Sequence, residues 1–265
     1  MRRSLTGVLT LAMIWSSVAH AQAAGHPPTC PNLRRAPTHP TASQMLAVQE
    51  QAAADPTVIL APEPLGNIGV LRYALRDYAD CTGDAGCYWT DLDAQTKRAL
   101  NALEDGVKAS PRGAKLALVL DIDETSLSSY CEAVAEDFGY IPDRWEKWIV
   151  SNEAVIPIAG TVRLAKRAQE LGVSVFFITG RPEAQRAATE ANLTAAGYAG
   201  WKHLSLKQPG IVYASTGAYK AAERARIKAD GYTLLLNMGD QWNDLQGEPM
   251  ALHSVKLPNP FYYLP

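Results

Sequence analysis

The chain has 265 residues, 47% of them hydrophobic and 20% charged, with a formal net charge of −2. That length holds one large domain or a domain with an appended lobe, and the composition is that of an ordinary soluble globule with a sizeable core. A balance this close to neutral excludes a polybasic protein and gives no reason to expect a nucleic-acid polymer as partner.

Arg2 and Arg3 precede the apolar run Leu9-Thr10-Leu11-Ala12-Met13-Ile14-Trp15, and the small residues of Ala19-His20-Ala21 follow. A positive start, a short apolar stretch and an A-x-A site describe a secretory signal peptide over residues 1–21. The run is too short for a membrane anchor. Removing both arginines lowers the 25 basic residues to 23 against 27 acidic ones, a charge near −4. No cysteine sits at the end of the run to carry a lipid, and no second long apolar stretch exists, so the processed chain is expected free of the membrane, in the periplasm or outside the cell. Cys30, Cys81, Cys87 and Cys131 all lie beyond the signal. An even count in an exported chain permits two disulfides, with three pairings open, and Cys81 and Cys87 are close enough to close a short loop. No C-x-x-C and no paired histidines support zinc instead.

Residues 22 to about 40 are rich in Pro, Thr and Ala and read as an extended tail. Thr41-Ala42-Ser43-Gln44 has capping-box spacing ahead of an alanine-rich helix reaching Ala54. Further helices are expected over residues 67–78 and 93–109, where Leu100, Leu103 and Val107 recur at helical steps. This part, residues 22–110, carries no concentrated polar site and reads as packing or covering structure.

From Pro111 the pattern becomes strand, loop, helix. Leu116-Ala117-Leu118-Val119-Leu120 is a continuous apolar run ending in acid, as a buried parallel strand would be. A helix bearing Leu164, Ala168 and Leu171 stops at Gly172, and a strand over residues 173–178 ends at Thr179. A helix after Pro182 stops near Gly197, another spans residues 219–230, and a third strand over 233–238 runs into Gly239-Asp240. Alternation of this kind predicts an α/β fold, a parallel sheet covered by helices on both faces, with ligands beyond the carboxyl ends of the strands.

Every polar cluster falls at such an end. Asp121 and Asp123 are two apart on an extended backbone and face one pocket. Two carboxylates that close repel, and a divalent cation relieves them, whereas a helix cap would need only one. Asp240 and Asp244 follow another buried strand, and four carboxylates together make an oxygen-rich site suited to Mg²⁺. Thr179-Gly180-Arg181 supplies a hydroxyl, a turn and a cation for holding phosphate. Lys220 offers a charge to neutralise a nucleophile and a transferred phosphoryl group, although a lone lysine is usually a solvated one. These are the parts of phosphoryl transfer, in which an aspartate forms an acyl phosphate and its neighbour protonates the leaving alcohol and then activates water. An acid in that role predicts an acidic pH optimum.

In this order, Asp121-Ile122-Asp123-Glu124-Thr125, Phe177-Ile178-Thr179-Gly180-Arg181, Tyr219-Lys220 and Gly239-Asp240-Gln241-Trp242 resemble the haloacid dehalogenase (HAD) superfamily. They are most similar to its secreted acid phosphatases, bacterial class C and plant vegetative. The resemblance runs from about Lys115 to the end, where Leu257-Pro258-Asn259-Pro260 also fits. It implies a HAD-like Rossmannoid core over 111–265, a small helical cap inserted at about 126–158, and an N-terminal helical extension. Asp121 would be the nucleophile, Asp123 the general acid/base, Thr179 a phosphoryl ligand and Lys220 the stabilising cation. Mg²⁺ would be held by the Asp121 carboxylate, the Asp123 carbonyl and Asp240, with Asp244 direct or through water. The second aspartate goes with phosphatases rather than dehalogenases. Some plant storage relatives have lost the nucleophile, which is present here. Class C proteins are typically lipoproteins, and this chain lacks the anchoring cysteine. Lys207 is a second candidate for the lysine, set behind Lys220 because Tyr-Lys ahead of a basic helix fits the family better.

The cap carries Tyr130, Tyr140, Trp145 and Trp148. Trp145 and Trp148 are three apart and share a helix face, either to stack on a flat leaving group or to pin the insert to the body. Tyr262 is a further substrate contact, and phosphate monoesters, 5′-nucleotides among them, are the expected substrates. His203 and His253 lack the context of a histidine phosphatase, and no G-x-S-x-G signals an esterase. A receiver-like module would lack the Gly-Asp-x-x-x-Asp and an export signal. The remaining alternative is a non-catalytic storage or binding protein on the same fold.

Overall fold

The computed structural model describes residues 25–30, 40–61, 66–84 and 86–264. The expected signal segment and most of the expected extended tail lie outside them. Three helices come first: α1 (Ala42–Ala53), α2 (Ile68–Asp80) and α3 (Tyr88–Ala109). The capping box forms as expected: the Thr41 hydroxyl accepts from the Gln44 N–H at 3.3 Å, and the Gln44 side chain accepts from the Thr41 N–H at 2.8 Å.

The body then alternates. In chain order it comprises β1 (Leu116–Leu120), α4 (Tyr130–Ala135), α5 (Pro142–Ile149), α6 (Ala159–Glu170) and β2 (Ser174–Pro182). A 3₁₀ turn at Glu183–Gln185 leads into α7 (Arg186–Ala195) and β3 (His203–Lys207). The chain continues with α8 (Thr216–Ala229), β4 (Thr233–Gly239), the short α9 (Trp242–Leu245) and β5 (His253–Lys256). The strands form one five-stranded sheet in the order β3-β2-β1-β4-β5, with every pairing parallel. Two strands beyond the three expected, β3 and β5, form its edges.

Alternation along the central strand sorts the core into two layers. Leu116, Leu118 and Leu120 pack with Val175, Phe177 and the buried faces of α3, α6 and α7, while Ala117 and Val119 pack with Phe176, Ile178, Tyr219 and Ile227 under α8. Helix α3 and the end of α2 therefore complete the hydrophobic core. Trp89, Leu92, Ala99 and Leu103 are all buried in the first layer. Helices α3 and α6 meet so closely that a Cβ on Gly160 would lie 1.9 Å from the Thr96 hydroxyl, so only glycine fits there.

Two disulfides are formed, Cys81–Cys87 and Cys30–Cys131. The second joins the N-terminal segment to α4 across 101 residues of sequence, a loop whose closure stabilises by roughly 4–5 kcal/mol in the chain-entropy picture. Among the described residues, no helix is long and apolar enough to cross a membrane.

Candidate active site

The carboxyl ends of β1, β2 and β4 converge on a cavity of about 740 Å³. Asp121 directly follows β1, and its N–H donates to the Met238 carbonyl on β4 at 3.1 Å, so the nucleophile candidate is the last residue held by the sheet. The chain then folds into a compact turn in which the N–H groups of Thr125, Ser126 and Leu127 all donate to the Ile122 carbonyl. Glu124 occupies the left-handed region with φ of 56°. The Ser126 hydroxyl donates to the Asp121 carbonyl at 2.6 Å, and the Thr161 hydroxyl of α6 to the Thr125 carbonyl at 2.6 Å, which pins the turn to the body.

The two aspartates of this turn have different partners. Asp121 is buried and accepts from the Lys220 ammonium at 2.5 Å, and Lys220 also bonds Asp244. Asp123 accepts a two-toothed fork from Arg181, Nη2 to Oδ1 at 2.6 Å and Nε to Oδ2 at 3.1 Å. A bidentate guanidinium fixes both position and plane of the carboxylate. Arg181 reaches this place because the pairing of β2 with β3 is irregular between Ile178 and Pro182. Such irregularities re-aim side chains at strand ends. The Thr179 hydroxyl accepts from the Arg181 N–H at 3.2 Å, and Thr179 is fully buried at the same strand end, outside the residues that line the cavity.

Carboxylate oxygens of Asp121, Asp240 and Asp244 lie within 4.8 Å of one another, all buried. Gly239 makes this possible, since a Cβ there would lie 2.3 Å from that of Asp244. Burial pushes Asp121 well above the usual carboxylate range; Lys220 works against that, and the neighbouring carboxylates of Asp244, Asp240 and Asp123 add to it. Burial, with Asp244 next, raises Asp240 as well. Burial also opposes the charge on Lys220, but Asp121 and Asp244 more than reverse it and hold the ammonium above its ordinary value. One ammonium therefore faces three hard-oxygen acids in a desolvated place. This donor set fits a divalent cation such as Mg²⁺, which Asp121, Asp240 and Asp244 would hold through their side chains. The Asp123 side chain is turned to Arg181, which leaves only its backbone carbonyl for the ligand role implied by the resemblance.

The remaining expected residues divide. Trp145 lines the cavity together with Phe138, Tyr140 and Tyr262. Trp148 does not; it is buried beside Ile149 and Ala154, its ring 5.3 Å from that of Trp145, and supports the wall from behind. Helical spacing places both rings on one face without saying which one meets the cavity. Tyr262 donates to the Glu124 carboxyl at 3.1 Å. Lys207 also lines the cavity, bonded to the Thr216 hydroxyl at 3.0 Å, and burial followed by the charge of Lys220 lowers its pKa. His203 and His253 are exposed at the amino ends of β3 and β5, the end of the sheet away from the site.

Several contacts of the site are not legible in the sequence, although Glu124 and Thr125 belong to the motif that begins at Asp121. The Thr125 hydroxyl donates to Asp240 at 3.0 Å. Glu124, fully buried, accepts from the Ser129 N–H at 2.5 Å, and burial followed by the charge of Asp240 pushes its carboxyl up to about 8. Arg224, one turn beyond Lys220 on α8, donates to the carbonyls of Asp244, Gln246, Gly247 and Pro249 and so ties down the loop that presents Asp244. A buried arginine holding only carbonyls leaves no pattern beyond that of a basic helix.

Known proteins resemble this arrangement. The chain is 34% identical over 149 residues to "Acid phosphatase 1" of Solanum lycopersicum, covering 55% of this chain and 58% of that protein. It is 34% identical over 150 residues to "Vegetative storage protein 1" of Arabidopsis thaliana, covering 56% and 55%. The matched segment thus spans little more than half the length of these relatives. Among solved structures, the class C acid phosphatase from Bacillus anthracis shares the fold, with a TM-score of 0.51 at 24% identity over 65% of this chain and 79% of that one. The family described as "HAD superfamily, subfamily IIIB (Acid phosphatase)" matches residues 70–265, a stretch that takes in most of α2 and all of α3 as well as the sheet. The chain belongs to that family.

Proposed function

We propose that the protein is an exported, Mg²⁺-dependent acid phosphatase that hydrolyses phosphate monoesters through a phospho-aspartate intermediate. The observation that carries this reading is the contact of Lys220 with both Asp121 and Asp244, which supports it by putting one cation between the proposed nucleophile and a proposed metal ligand. Asp121 would attack phosphorus and form an acyl phosphate while the ester oxygen leaves with the proton of Asp123. Asp123 would then take a proton from water as that water attacks phosphorus, releasing phosphate and regenerating the Asp121 carboxylate. Arg181 orients Asp123 and faces the incoming phosphate, and Thr179 steadies the end of β2 beneath it. A bound Mg²⁺ supplies charge neutralisation for the phosphoryl oxygens.

The aromatic wall of Phe138, Tyr140, Trp145 and Tyr262 suits a flat leaving group, so 5′-nucleotides belong to the proposed substrates. Export is supported by the signal-like residues 1–21 and by two disulfides, which persist in oxidising compartments.

Relatives called vegetative storage proteins make a non-catalytic storage role the second reading. Hydrolysis of a chromogenic phosphate monoester separates the two. Activity with Mg²⁺ should disappear in EDTA and fall by roughly 10⁴-fold or more in Asp121→Asn. No hydrolysis of any monoester by the unaltered protein decides for storage, and hydrolysis indifferent to both EDTA and the substitution overturns the mechanism.

A further inference from the structure

The segment beyond β5 returns to the site, where its Asn259 joins two other donors on one metal-ligand candidate, Asp240. Asp240 accepts from the Thr125 hydroxyl on Oδ1 at 3.0 Å, and on Oδ2 from the side-chain amides of Gln241 at 2.8 Å and Asn259 at 2.7 Å. Asn259 comes from outside the strand-end motifs, nineteen residues further on.

Its own geometry is fixed from three sides. Pro258 and Pro260 flank it and restrict the backbone on either side. Leu257 donates its N–H to the Gly239 carbonyl at 2.8 Å, which anchors the segment next to Asp240. The Asn259 Oδ1 accepts from the N–H groups of Phe261 at 2.8 Å and Tyr262 at 3.4 Å. With the oxygen so occupied, the amide has only its NH₂ to offer Asp240, so the network itself assigns the orientation. The same two residues continue into the cavity wall: Phe261 stacks on Phe138 with centroids 5.8 Å apart, and Tyr262 reaches Glu124.

We propose that Asn259 is a positioning residue for the cation, holding the Asp240 carboxylate in its binding orientation and joining it to the aromatic wall. The role rests on the metal reading given above. Partners of this kind, which orient a ligand without touching the ion, set affinity as well as geometry.

The test reads metal binding without turnover. Melting temperature is followed against Mg²⁺ alone, because an ion that binds only the folded state raises it. Asn259→Asp keeps the shape and the acceptor for Phe261 but turns an acceptor toward Asp240. It is expected to raise the Mg²⁺ concentration for half-maximal stabilisation by about 10–100-fold. Asn259→Ala removes the donor without adding charge and should move the same midpoint by about tenfold. If Asn259→Asp fails to fold, the alanine variant carries the measurement. In steady-state assays at saturating Mg²⁺, the KM for a small chromogenic ester should stay near that of the unaltered protein. Variants that melt lower without Mg²⁺ yet keep the unaltered midpoint overturn the role, because Asn259 would then only pack the segment. Absence of any Mg²⁺-dependent shift in the unaltered protein overturns the metal reading, and this one with it.

Discussion

The floor and the wall of the cavity are built on opposite principles. On the floor, Asp121, Asp123, Asp240 and Asp244 each meet a named donor: Lys220, the Arg181 fork, the amides of Gln241 and Asn259, and the Gln241 N–H at 2.7 Å. On the wall, Phe138, Tyr140, Trp145 and Phe261 meet one another through ring contacts with centroids 5.8–6.3 Å apart or lie open to the cavity. Directional bonds to buried charges fix atoms to fractions of an ångström and are costly to leave unmade. Ring contacts are individually weak and tolerant of shape. Under the proposed function, the floor would hold one reaction geometry while the wall would adapt to different leaving groups.

That contrast is open to attack from both sides. The largest effect is expected on the floor. Lys220→Met leaves buried carboxylates facing one another without their counter-charge, a loss of about 3–5 kcal/mol in metal-free unfolding experiments. Activity should collapse in the same variant, and added Mg²⁺ should restore stability more than turnover. Full activity in Lys220→Met would hand the role to Lys207, the other ammonium on the cavity.

Next comes Trp148, which is 7% exposed and carries the wall from behind. Trp148→Ala should cost about 3–5 kcal/mol in denaturant unfolding, as large-to-small changes in packed sites do. Its effect on nucleotide KM should follow only from loosening of Trp145. The smallest change is predicted at Trp145 itself. Trp145→Ala should raise the KM for a 5′-nucleotide by roughly tenfold, the worth of one good ring stack, and leave kcat on a small chromogenic ester unchanged. An unmoved nucleotide KM would show that the wall is packing and not a binding surface.

What was legible in the sequence follows the same division. The three central strands could be read because strands buried on both faces are continuous apolar runs, and the carboxylates stand at their ends. The edge strands escaped: His203-Leu204-Ser205-Leu206-Lys207 alternates polar and apolar, and His253-Ser254-Val255-Lys256 is half exposed and only four residues long. Trp145 and Trp148 could be paired by spacing, but their division between cavity and core depends on how the cap rests on the body. That seat is set by contacts such as the Asn192 amide donating to the Ile149 carbonyl at 3.2 Å, far apart in sequence. The roles of Asn259, read only as part of Leu257-Pro258-Asn259-Pro260, and of Arg224 escaped for a related reason. Each acts on partners about twenty residues away through groups that any surface amide or guanidinium also carries.

Helix α8 carries Lys220 on one turn and Arg224 on the next, the first contacting the Asp244 carboxylate and the second the carbonyl of the same residue. Charge and scaffold are thus indexed to one another by the helical repeat. A single inserted or deleted residue ahead of Lys220 would rotate both side chains about 100° off their targets at once. Point substitutions can be absorbed along the outer face of α8, but its length up to Arg224 cannot drift. This short stretch acts as a ruler for the site, one that tolerates rewriting of its letters and not of their count.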